Sequence, residues 1–197
     1  YFESKFSPAS HFGQKDYRKK KFLTHFEKEF TEGLRTVHQV SDDIIFRHLF
    51  DLIKNTLRTN FYIPKSQETF ISIKINSQAI KFMPLPMPFK EIYVHDVNLE
   101  GTHLRFGPVS RGGLRWSNRP DDFRTEILGL VKTQQVKNVV IVPEGSKGGF
   151  IIKNVPKERD AFLKEGEVQY QKFIKALLDI TDTLDKKGQI VMPHGVI

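Results

Sequence analysis

Two glycine-rich cationic segments hold most of the chemistry this sequence offers. One is Ser110-Arg111-Gly112-Gly113-Leu114-Arg115-Trp116; the other is Pro143-Glu144-Gly145-Ser146-Lys147-Gly148-Gly149-Phe150. Lys132 and Lys137 lie between them. Glycine lets a backbone approach a ligand closely, and a cation beside it can grip an anion. Both read as loops, and taken singly each is more readily a structural turn with solvated cations than a site. Taken together they flank one helix–strand unit, which can bring both to one edge of a sheet, where open α/β folds bind ligands. Neither segment is a phosphate loop, because Lys147 is followed by Gly148 rather than Ser or Thr. No dinucleotide glycine fingerprint occurs, and no Gly-x-Ser-x-Gly elbow. The seven histidines show no metal-ligand spacing, so no metal is expected.

The elements that must position these residues follow from periodicity. Phe22, Phe26, Phe30, Leu34 and Val37 recur at helical spacing, behind the basic run Arg18 to Lys21. A second helix is expected from Ser41, capped by its hydroxyl, with Asp42 and Asp43 in the first turn and Ile45, Leu49, Leu52 and Ile53 buried. The period then changes. Ile71, Ile73 and Ile75 alternate with Ser72 and Lys74, which predicts a strand with one buried face. Met83-Pro84-Leu85-Pro86-Met87-Pro88 reads as an extended connector. Strands are expected at Glu91 to His95, Thr102 to Phe106 and Val139 to Val142. Helices are expected after Pro120, with Phe123, Ile127, Leu130 and Val131 on one face, and from Pro156, with Phe162, Phe173, Leu177, Ile180 and Leu184 inward. A strand is expected at Gln189 to Met192. The fold class is therefore α/β (α+β): N-terminal helices over 1–60, then a mixed sheet flanked by helices over 61–197.

Composition narrows the class further. Seventeen phenylalanines and 39% apolar residues can bury a core. No apolar run approaches the roughly 20 residues needed to span a bilayer, so no membrane partner is expected. The absence of cysteine excludes disulfides and suits a reducing, cytoplasmic compartment. A net charge of +8 favours anionic partners without choosing among them. Nucleic acid is disfavoured, because the aromatics read as core stripes rather than a stacking platform. The chain opens on Tyr1 rather than Met, which suggests a piece of a longer protein.

From Gly101 to Lys153 the sequence closely resembles the substrate-domain core of the large bacterial NAD-specific glutamate dehydrogenases. The runs RGGLRWS, DDFRTEILGLVKTQQVKN and VPEGSKGGF carry the likeness, with weaker support from TLRTNFY and MPLPMPFKEIYV. The resemblance implies oxidative deamination of L-glutamate to 2-oxoglutarate and ammonium, with NAD as cofactor, in a homo-oligomer. By motif match Lys147 is implied as the catalytic lysine and Lys137 as the grip on the substrate α-carboxylate, with Lys132 as its substitute. Arg111, beside Gly112 and Gly113, stands where compact relatives place a lysine for the side-chain carboxylate. Guanidinium keeps the charge but can bind bidentately, which ammonium cannot. Gly148 completes the implied set. A lysine that accepts a proton must first be neutral, and neighbouring cations favour that form. The resemblance places the catalytic aspartate and the Rossmann domain beyond Ile197, so no cofactor-binding residue is expected in this chain and no activity from the chain alone. A non-catalytic regulatory or assembly module that retains the fold is the alternative reading.

Overall fold

The computed structural model describes residues 1–8, 17–63, 70–137, 144–193 and 196, with the side chains of 135–137 outside that description. The expected strand at Val139 to Val142 lies outside the described residues.

Among the described residues, five α-helices and a six-stranded mixed sheet organise the fold: α1 (Phe2–Phe6), α2 (Tyr17–Gly33), α3 (Val40–Lys54), β1 (Thr56–Thr59), β2 (Ile71–Ile75), β3 (Lys90–His95), β4 (Leu99–Arg105), β5 (Ser110–Trp116), α4 (Phe123–Lys137), β6 (Glu144–Ile152) and α5 (Arg159–Leu178). A two-residue pair, β7 (Thr183–Leu184) and β8 (Ile190–Val191), forms a separate hairpin. The large sheet runs β1-β2-β3-β4-β6-β5. Its pairings are antiparallel except β5 with β6, which are parallel and joined through α4.

The two sheet faces are covered by different helices. On one, α5 seats Phe173 and Ala176 against Ile92, Val94, Leu99 and Phe150. Phe173 crosses Gly101 so closely that a Cβ there would lie 2.6 Å from its ring. On the other, α4 packs Ile127, Leu128 and Val131 on Leu104. The helix expected after Pro120 is thus α4, and its predicted stripe is the face turned to the sheet. β2 buries part of its polar side as well. Ser72 is fully buried, and its hydroxyl donates to the Ala176 carbonyl at 2.6 Å, which satisfies it in place of water.

Three sequence expectations are corrected. α3 begins at Val40 without a side-chain cap, and Ile45 and Leu49 are 60% and 53% exposed instead of buried. The helix turns Phe50 inward: its ring stacks on Phe30 at 4.1 Å and meets Tyr1 at 5.2 Å. α3 is apolar on two sides, so periodicity could not say which one α2 would cover. Phe22, in the expected apolar stripe of α2, is 40% exposed. Leu184 does not extend α5, which ends at Leu178; it is exposed in β7. The start of α5 is set by Glu158, whose carboxylate accepts from the Asp160 and Ala161 amides at 3.0 and 2.7 Å.

His103 on β4 gives the fold a pH dependence. Its ring crosses Gly148, and burial, followed by the nearby Arg105, lowers its pKa from 6.5 to about 4. The unfolded chain binds a proton at this group between those values and the folded chain does not. Stability is therefore expected to be full above pH 6.5 and to fall as pH drops toward 4, by about 3 kcal/mol at most. Urea denaturation at pH 7 and 4.5 checks this; a His103→Gln variant should show a flatter pH profile.

Candidate functional site

The two glycine-rich segments are strands, not loops. They form β5 and β6, paired in parallel from Ser110↔Glu144 to Trp116↔Phe150. Glycine usually weakens a strand, but here it makes the pairing possible. A Cβ on Gly112 would overlap the Ser146 carbonyl oxygen of the neighbouring strand. A Cβ on Gly149 would overlap Ile127, so that glycine lets α4 settle onto β6.

This packing sets where Lys147 stands. It pairs with Leu104 on one side and Gly113 on the other, and paired residues share a sheet face. That face is the one under α4. Lys147 is half-buried, and its Nζ lies 3.6 Å from where a Cβ on Gly113 would be. The ammonium thus lies beside Gly113, at ordinary contact distance from where a side chain there would begin. Arg111 stands two residues from Gly113 on the same face, exposed. A strand spacing of about 4.8 Å and a rise of about 3.3 Å per residue put its Cα roughly 8 Å from that of Lys147. Among the described residues neither Arg111 nor Lys147 has a carboxylate partner. Arg115, next along this face, is closed off: its Nε meets Glu126 at 2.6 Å, and Ser117 holds the same carboxylate at 2.5 Å.

The other expected site residues divide. Gly112 and Gly113 are exposed beside Arg111. Gly148 faces away from Lys147, toward His103 and Leu114. Lys132 is exposed on α4, outside the stripe that meets the sheet. Lys137 closes α4, and its side chain lies outside the described residues.

Sequence reasoning missed Gln134. Its Oε1 is buried without a hydrogen-bond partner among the described residues, 2.9 Å from the Cβ position of Gly112. A buried acceptor left unpaired costs about 1–3 kcal/mol unless something supplies a donor. The available signal was its spacing: it follows Ile127 and Val131 on the sheet face of α4, three residues before Lys137.

A separate cleft of about 770 Å³ opens at the far ends of β5 and β6, among Trp116, Asn118, Lys153 and Phe162. Its cations are already paired, Arg115 with Glu126 and Lys153 with Glu100 at 3.5 Å. It offers an apolar wall instead of an anion grip, so the Lys147 face is the better candidate. Among the described residues no three His, Asp or Glu side chains gather as a metal site would require, and no helix is long and apolar enough to cross a membrane.

Residues 29–197 match the family model described as bacterial NAD-glutamate dehydrogenase, catalytic domain. The chain belongs to this family. The chain is 45% identical to the NAD-specific glutamate dehydrogenase of Halomonas elongata over its whole length. It is 49% identical to that of Pseudomonas aeruginosa over 87% of the chain, and 50% identical to that of Mycobacterium tuberculosis over 77%. The matched part is 12%, 11% and 10% of those relatives respectively, so the chain spans about a tenth of their length. Within this glutamate dehydrogenase family match lies the whole β5–α4–β6 unit, with Arg111, Gln134, Lys137 and Lys147.

Proposed function

We propose that the β5–α4–β6 unit is the substrate grip of a glutamate dehydrogenase that converts L-glutamate to 2-oxoglutarate and ammonium, residues 61–197 being the substrate-binding domain. One observation carries the reading. Among the described residues Lys147 and Arg111 share a face without carboxylate partners, beside a buried acceptor, the Gln134 Oε1, that has no donor. Glutamate and 2-oxoglutarate are dianions with two carboxylates to hold, and glutamate adds an amine that can donate. Arg111 takes the side-chain carboxylate, bidentately. Lys137, three residues beyond Gln134 on α4, takes the α-carboxylate. Oxidation of the glutamate amine to an iminium sends the Cα hydride to the nicotinamide, the chemistry that NAD would supply when bound; Lys147 takes the proton of the water that attacks the iminium carbon, then returns it as ammonium leaves.

NAD is the cofactor named for the relatives. Gly112, Gly113, Gly145, Gly148 and Gly149 of this unit lie inside strands and Gly129 inside α4, so none of them opens a helix. The steps assigned to this chain are binding and proton transfer. A cytoplasmic homo-oligomer is part of the same reading, carried by the resemblance.

Calorimetric titration with 2-oxoglutarate at low salt tests the grip, with Arg111→Ala beside the unchanged protein. Loss of one charge-assisted carboxylate contact corresponds to about 1.5–3 kcal/mol, so binding weaker by tenfold or more is expected. An intact enzyme that binds no dicarboxylate would point instead to a regulatory or assembly module that keeps only the fold.

A further inference from the structure

The N-terminal helices carry cations that substrate binding does not use. We propose that the cleft of about 580 Å³ between α1, α2 and β1 is a second anion site, for a small molecule bearing phosphate or several carboxylates. Its volume lies within the range typical of small-ligand pockets, roughly 300–1,000 Å³.

The charges in the cleft do not balance. Lys19 is only 8% exposed, and among the described residues its ammonium has a single partner, the neutral carbonyl of Lys5 at 2.9 Å. Lys5 donates to two more carbonyls, Lys54 at 2.5 Å and Thr56 at 2.7 Å. Lys20 lines the same space. Glu27 is the one carboxylate in the lining, and it is already taken by the Lys54 ammonium at 2.6 Å and the Tyr1 hydroxyl at 3.1 Å. Arg58, also in the lining, is held by Asp182 at 2.7 Å.

Among the described residues, Lys5, Lys19 and Lys20 therefore line a space whose one carboxylate, Glu27, is already engaged. Buried charges are normally paired, because desolvating a lone ion is costly. The strain is visible at Lys5: burial lowers its pKa to about 8, Glu27 opposes that, and Lys19 and Lys54 add to it. An oxyanion seated here would relieve all three cations at once. Phe6, Leu23 and Leu57 add an apolar wall to the cleft. The site is independent of the substrate face. It adjoins β1, whereas Lys147 and Arg111 lie on β6 and β5 at the opposite side of the strand order.

Calorimetry on the intact protein at constant ionic strength, with inorganic phosphate in one arm and citrate in the other and chloride as reference, tests the proposal. Binding in either arm is expected, and the arm that binds names the ligand class. Lys20→Ala should weaken it tenfold or more, and Lys19→Gln further. Lys147→Ala should leave it unchanged. Lys20 is exposed, so its removal leaves the fold intact even if Lys19→Gln does not fold. No heat beyond that of chloride in either arm would overturn the site. So would binding that survives Lys20→Ala and disappears with Lys147→Ala.

Discussion

Lys147→Ala in the intact enzyme is expected to lower kcat for glutamate oxidation by about 10²–10⁴-fold, the usual contribution of a positioned acid–base group. The expectation rests on where the ammonium stands. Lys147 is central in β6, held between β4 and β5, and its Nζ lies beside Gly113, where no side chain covers it. Alanine fits this strand without strain, so the fold should survive and the loss should be chemical. Two further variants separate proton transfer from charge. Lys147→Arg keeps a cation but cannot give up its proton at working pH, so its kcat should fall nearly as far as that of the alanine variant. Arg111→Lys keeps a cation but loses the bidentate fork, so KM should rise with kcat little changed. Steady-state kinetics read both outcomes. If Lys147→Arg retained normal turnover, Lys147 would be a binding residue and the proton acceptor would have to be sought elsewhere.

The largest effect on stability is expected from Arg124→Met, at about 3–5 kcal/mol. Glu91 on β3 is 4% exposed, and its carboxylate is held by Arg124 through contacts of 2.7 and 2.9 Å and by the Thr102 hydroxyl at 2.8 Å. Methionine is close to arginine in length and tolerant in packing, so the cost would come from the stranded carboxylate. A paired change tests this cause. Glu91→Met with Arg124→Met removes both charges and should recover most of the loss, because replacing a whole buried ion pair by apolar groups is often neutral. Urea denaturation of the single and double variants gives the comparison. The pair also ties the first turn of α4 to the sheet, and α4 carries Gln134 and Lys137. Arg124→Met should therefore weaken 2-oxoglutarate binding without touching the ligand. A single variant as stable as the unchanged protein would show that Glu91 is relieved by some other group.

Several elements were legible from local pattern. Phe123, Ile127 and Val131 recur at helical spacing, and α4 buries all three, together with Leu128, while Leu130 of the expected stripe is only partly buried. Glu91 to His95 reads as a strand, and β3 spans Lys90–His95. What was not legible turned on choices between equivalent local options. α3 has apolar residues on two sides, and only the position of Phe26 and Phe30 on α2 selects Phe50 over Ile45 and Leu49. Leu184 continues the apolar spacing of α5, yet the helix ends first.

The site divides in the same way. Its chemistry was present in the residue types: lysines and an arginine beside glycines, between two segments that one helix could join. Their arrangement was not. Glycine pairs suggest turns by intrinsic preference, and only the approach of β5 to the Ser146 carbonyl and of α4 to Gly149 shows why they stand inside strands. Gln134 became notable only once its oxygen was seen buried without a donor. Strand side chains alternate with a period of two, so a slip of one residue between β5 and β6 would send Lys147 and Arg111 to opposite faces. Sequence alone determined which charges this protein has to offer a dianion; the register Gly113↔Lys147, a matter of contacts between distant parts of the chain, decided that they meet on one face.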